Sequence, residues 1–113
     1  YLATTYDCRA GDVHIDGVAP AAPYWMMGLY DLYARGLPGG HLNHRSVSLG
    51  PDGHFEIVVS RQPGTRPNTL DCATSPQGLL VYRVLLPRQH VAVPAIHLVP
   101  NPPGTPPLWR DGR

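Results

Sequence analysis

Apolar and polar positions alternate along several short stretches of this chain. His54 to Ser60 is the clearest: Phe55, Ile57 and Val59 fall on one side, and His54, Glu56 and Ser60 on the other. That period of two is the mark of a half-buried strand. Leu79 to Leu86 (LLVYRVLL), closed by Pro87, is a more apolar strand. In Tyr24 to Tyr30 (YWMMGLY), Trp25, Met27 and Leu29 share one face and Tyr24, Met26 and Tyr30 the other. Pro23, Gly28 and the aromatics favour a strand buried on both faces over a helical turn. Tyr1 to Tyr6, Val13 to Ile15 and Leu42 to Leu49 read as weaker strands.

Turn chemistry divides these runs. Gly50-Pro51-Asp52-Gly53 is the strongest turn, because proline presets φ and glycine takes the position needing positive φ. It predicts a hairpin of Leu42–Leu49 with His54–Ser60. Asp16-Gly17 predicts a second hairpin-type turn, and Leu37-Pro38-Gly39-Gly40 a loop. Gln62 to Gly78 reads as one long loop rich in Pro, Thr, Ser and Asn. Beyond Val93, six of the fourteen residues 94–107 are proline, which predicts an extended polyproline-II tail.

Together these runs predict an all-β fold: a small antiparallel β-sandwich, jelly-roll-like, of about six strands. It occupies residues 1–93, and a Pro-rich extended tail occupies 94–113. The expected core is Trp25, Leu29, Phe55, Ile57, Val59, Val81, Val84 and Leu85. Composition agrees: 14 Pro and 12 Gly in 113 residues work against long helices. The length suits one domain.

Charge narrows the partners. A net charge of +1 offers no electrostatic case for nucleic acid. No window reaches the roughly 18 apolar residues of a spanning helix. Contact with a membrane is therefore expected only through a segment outside this chain or through partners. Cys8 and Cys72 lie in loop-like surroundings, without CxxC or zinc spacing. They suit one long-range disulfide in an oxidising compartment. Two free thiols remain the alternative, because pairing geometry is not legible in sequence.

The order of the segments resembles the bacterial domain-of-unknown-function family numbered twelve-fourteen, an all-β, envelope-associated family. The resemblance runs from Tyr1 to Ile96. Its parts are Tyr1-x-Ala3-Thr4-Thr5, Ala22 with Trp25 and Tyr30, and Asn43-x-Arg45-Ser46. Asp52-Gly53, Asn68-x-Leu70 and an Arg83 strand closed by Pro87 complete the set. The chain departs from the family pattern at Thr69, where tryptophan is usual, and in the Met26-Met27-Gly28 run. The resemblance implies a β-sandwich that is exported or tethered by an N-terminal membrane helix. It carries over no catalytic residue.

Candidate chemistry is sparse. There is no Gly-x-Ser-x-Gly elbow, and Glu56 is the only glutamate, a poor basis for a carboxylate pair. His44 opposite His54 across the expected hairpin, with Glu56, is the candidate metal set, against a reading as solvated polar-face residues. Tyr24, Tyr30 and Tyr33, with Trp109, are candidates for stacking on a sugar, although core packing explains them equally well. Arg83, in an apolar strand, is expected to be buried against Asp31 or Asp71. In the tail, Pro102, Pro103, Pro106, Pro107, Leu108, Trp109 and Arg110 form a stiff segment with an apolar anchor, suited to docking on a partner.

The expectation is a non-enzymatic accessory or scaffolding subunit of a larger membrane complex, contacting other protein subunits. It would sit on the extracytoplasmic side, in the periplasm or cell envelope. A carbohydrate- or small-ligand-binding module is the alternative, and a metal-assisted enzyme the third reading. No catalytic residue and no cofactor is implied.

Overall fold

The computed structural model describes residues 2–64, 66–89 and 91–100. Eight strands follow one another: β1 Leu2–Asp7, β2 Gly11–Val18, β3 Tyr24–Tyr30, β4 Gly36–Asn43, β5 His54–Ser60, β6 Thr69–Asp71, β7 Gln77–Leu85 and β8 Ala95–Pro100. A 3-10 turn over Pro51–Gly53 precedes β5, and no α-helix occurs among the described residues. The strands form two four-stranded sheets, ordered β1-β7-β3-β4 and β6-β5-β2-β8. Every pairing is antiparallel except β5 with β6. The β-sandwich class is as expected, with eight strands in place of six.

The inner faces follow the pleat. Val13 and Ile15 of β2, Trp25, Met27 and Leu29 of β3, and Phe55, Ile57 and Val59 of β5 are buried, with Leu80 and Tyr82 of β7. Trp25 joins the two sheets. Its ring stacks on Phe55 at 5.3 Å and meets Tyr82 edge-on at 6.0 Å. Leu37, Leu70 and Tyr6 close the ends of this core.

Several expectations need correction. Strand β7 buries Leu80 and Tyr82; Val84, on the same inner face, packs only partly against the core near the strand's end, while Val81 on the other face is half-buried and Leu85 is exposed. The apolar residues of the run fit either face, and a shift of one residue turns every side chain over; Arg83 marks the outer face. Arg83 therefore points outward and is exposed, while Asp31 pairs with Arg35 and Asp71 caps the Ala73 amide. Strand β3 buries one face rather than two, leaving Tyr24, Met26 and Tyr30 half-buried.

The hairpin of Leu42–Leu49 with His54–Ser60 does not form. Strand β4 begins earlier, through the expected loop, with Leu37 buried and Pro38 exposed on an edge strand, where a missing N–H costs no ladder bond. It ends at Asn43, whose side-chain Oδ1 accepts hydrogen bonds from the Arg45 and Ser46 amides at 2.9 and 3.1 Å. That Asx-type turn pulls the chain off the sheet. The Gly50–Gly53 turn does form, with Asp52 and Gly53 at φ of 61° and 74°. It delivers β5 to β2 and β6. Asp16-Gly17 is no turn either: β2 runs through it, pairing Asp16 with Glu56 and Gly17 with Phe55. The Phe55 ring lies over Gly17, where a Cβ would meet it at 2.8 Å.

The tail departs from polyproline II at its start. Residues 95–99 carry no proline, and they pair with β2 as edge strand β8. Sheet structure thus runs on to Pro100. The long loop is also partly ordered by pairing, through β6 and through Asn68. The Asn68 side chain accepts from the Ser48 amide and donates to the Ser48 carbonyl, both at 2.7 Å. Asn68 also adopts a φ of 54°, which asparagine tolerates better than most residues. Asn68→Ala is expected to cost about 1–2 kcal/mol by loss of both bonds and by backbone strain. Urea unfolding compared with Ser46→Ala, expected to cost less, checks it.

Candidate functional site

The motifs behind the family resemblance prove to be structural. Asn43 and Ser46 make a turn, Asn68 ties two loops, Leu70 and Trp25 are core, and Asp52-Gly53 is the turn before β5. None of them gathers reactive groups.

The candidate metal set is not assembled. His54 lies opposite Val18 and Glu56 opposite Asp16, both in the second sheet. His44 follows β4 of the first sheet, where its ring meets Tyr24 edge-on at 5.3 Å and its Nδ1 is buried without a partner. Among the described residues no three His, Cys, Asp or Glu side chains converge as metal ligands. Glu56 instead reaches His14, with Oε2 3.1 Å from Nδ1. Sequence reading missed His14 because the β2–β5 pairing joins residues 42 apart.

The tyrosines do not form one platform. Tyr24 and Tyr30 stand at opposite ends of β3, about 20 Å apart at strand rise. Tyr30 packs edge-on against His41 at 5.1 Å. Tyr33, 81% exposed at the β3–β4 turn, has the Arg35 guanidinium 5.4 Å above its ring. Beside it lies an open cavity of about 300 Å³ bounded by Asp31, Arg35, Thr74 and Ser75. Asp31 accepts bonds from the Arg35 and Tyr33 amides and from the Arg35 side chain. These hold its carboxyl below the usual carboxylate range, the Arg35 amide most strongly.

Cys8 and Cys72 are joined in a disulfide, and both are fully buried. The bridge links the end of β1 in one sheet to the end of β6 in the other. Next to it, the Arg9 side chain donates to Asp7 and holds that carboxyl down at about 2.

The most distinctive surface is the long side of the sandwich between β1 and β8. On the other long side β4 and β6 contact each other. Here an apolar groove of about 280 Å³ runs between Leu2, Ala3 and Thr4 on one wall and Val93, Pro94 and Ile96 on the other. Ile15, Met27, Leu80 and Tyr82 form its floor. Ile96 and Leu98 lie opposite Ile15 and Val13, so they face the interior, yet they expose 47% and 46% of their surface. The Tyr82 hydroxyl in this floor is buried with no hydrogen-bond partner, and burial raises its pKa. Among the described residues no strand pairs with the outer edge of β1 or β8. Strand β4 carries Pro38 and an irregular register, and β6 has three residues. Strands β1 and β8 are six residues each with no Lys or Arg, with a charge (Asp7) or a proline (Pro100) only at their last residue. Edge strands of that kind offer free backbone groups for pairing with another chain. The tail residues Pro102, Pro103, Pro106, Pro107, Leu108, Trp109 and Arg110 lie outside the described residues.

Comparison with known proteins places the fold and no more. No family model and no curated protein matches this chain, so the family resemblance rests on its quoted motifs alone. A solved structure of an uncharacterized protein from Burkholderia cenocepacia superposes with a TM-score of 0.77 at 20% identity. The match covers 87% of this chain and 29% of that protein, so the chain spans under a third of its neighbour's length.

Proposed function

We propose that this protein is a non-enzymatic accessory or scaffolding module that works by protein–protein contact within a larger, membrane-associated assembly on the extracytoplasmic side. The observation that carries the reading is the long side of the sandwich between β1 and β8, where interior-facing Ile96 and Leu98 stay half uncovered and no described strand pairs with the outer edge of β8. The occupant we assign is an extended segment of another subunit, added to β8. Its backbone pairs with the outer edge and its apolar side chains enter the groove, as in strand-addition recognition. The Cys8–Cys72 bridge supports an oxidising compartment.

The test uses the full chain in its native host. Site-directed photo-crosslinking from position 96, which lines the groove, should yield one defined adduct within a membrane-derived assembly. Leu98→Asp should abolish both the adduct and co-purification of the assembly. A full chain that stays monomeric, yields no adduct and behaves identically with Leu98→Asp overturns the reading. A second reading, a carbohydrate-binding module, draws support from exposed Tyr33 with the Asp31, Arg35, Thr74 and Ser75 cavity at its side. A sugar that stabilises the protein and loses its effect in Tyr33→Ala would favour it.

A further inference from the structure

The outer face of the second sheet carries a cluster that the contact function does not use. His14 of β2 and His97 of β8 stand directly opposite each other. Their ring centres are 5.6 Å apart with planes 28° from parallel. Glu56 Oε2 lies 3.1 Å from His14 Nδ1, and Asp16 Oδ2 lies 4.0 Å from His97 Nδ1. Asp16 and Glu56 are themselves directly opposed on β2 and β5. Like charges in that position disfavour the sheet, so the face gains from a cation held beside them.

The geometry points to a metal chelate: we propose that His14 and His97 together bind one divalent late transition-metal ion through their imidazole nitrogens. Three observations carry this. First, His14 holds its Nδ1 against the Glu56 carboxylate at 3.1 Å, and the His97 Nδ1 lies on the side of Asp16 at 4.0 Å. A carboxylate on Nδ1 orients a metal-binding histidine and leaves Nε2 as the ligating atom. Second, two imidazoles on one ion have ring centres about 4.5–5 Å apart in cis square-planar or tetrahedral geometry, given metal–nitrogen bonds of about 2.0–2.1 Å. The stacked pair at 5.6 Å reaches this by closing about 1 Å and turning its ring planes so that both nitrogens meet the ion. Third, direct opposition on neighbouring strands fixes both backbones, so little ordering is required on binding. Two nitrogens leave the remaining coordination positions to water. Among divalent ions Cu2+ binds most tightly, followed by Ni2+ or Zn2+, as imidazole ligation and the general affinity order require.

Titration of the oxidised full chain with copper(II), nickel(II) and zinc(II) chlorides, followed by calorimetry, tests the proposal. One Cu2+ per chain is expected, with nitrogen hyperfine structure from two imidazoles in the electron paramagnetic resonance spectrum. His14→Gln and His97→Gln should each weaken binding at least about tenfold and remove one imidazole from the spectrum. His54→Gln should leave binding unchanged. Glu56→Gln, which keeps both ligands, should weaken binding without changing the nitrogen count. Melting temperatures in EDTA confirm that each variant is folded, and a variant that unfolds is replaced by the Asn substitution at the same position. Absence of saturable binding by all three ions, or binding that survives both His14→Gln and His97→Gln, overturns the site.

Discussion

Removing the Cys8–Cys72 bridge is expected to lower the stability of the fold by about 4 kcal/mol, within a usual range of about 2–5 kcal/mol. The two cysteines are 64 residues apart, so the cross-link restricts a large part of the unfolded chain. Both sulfurs are fully buried, which makes Cys8→Ala with Cys72→Ala the appropriate variant: it leaves apolar side chains and no unpaired thiol. Total stability of a domain this size is about 5–15 kcal/mol, so the loss takes a large share. The bridge links the ends of β1 and β6, in different sheets. Loosening should therefore begin at that end of the sandwich, with faster amide exchange in β1 and β6 than in β3. Equilibrium unfolding in guanidinium, with and without reductant, measures the effect. A change under about 1 kcal/mol would mean that the bridge does not constrain the chain as its long separation implies.

The second large effect concerns Trp25. Trp25→Ala is expected to cost about 3–5 kcal/mol, the usual loss for a large buried aromatic. Its side chain is 3% exposed and contacts Phe55 across the sandwich and Tyr82 within its own sheet. Truncation opens a cavity at the junction of the sheets, with close-packed neighbours that relax only partly. Tyr33→Ala is the control, since that exposed ring at a turn should matter by less than about 0.5 kcal/mol. Comparable losses for both variants would contradict the placement of Trp25 at the centre of the core.

The functional proposals bear on different surfaces. Partner contact uses the groove between β1 and β8, whereas the proposed chelate uses the outer face of β2 and β8. The strand β8 belongs to both. A subunit paired with its outer edge would hold His97 opposite His14 and favour metal binding, while leaving the imidazole nitrogens accessible.

Much of this architecture was legible in the chain itself. Alternation at Phe55, Ile57 and Val59 set both the strand type and the buried face of β5, because the pleat translates sequence parity directly into sidedness. At Tyr24–Tyr30 it set the strand, while packing decided that only the Trp25, Met27 and Leu29 face is buried. The Gly50–Gly53 turn was equally readable, since it depends only on local backbone chemistry. The proline and glycine content excluded a helical body. What the tertiary structure alone decided was which strand lies beside which. Pairing of β5 with β2 and of β8 with β2 depends on the whole packed assembly, and a local pattern contains no term for it. Hence the expected hairpin failed, and the candidate histidines His44 and His54 were separated. His14, Glu56 and His97, distant in sequence, were brought onto one face. The inner face of β7 was also left to packing: apolar residues occupy both faces of the run, only Arg83 marks the outer one, and Trp25 and Leu29 meet Tyr82 and Leu80 inside.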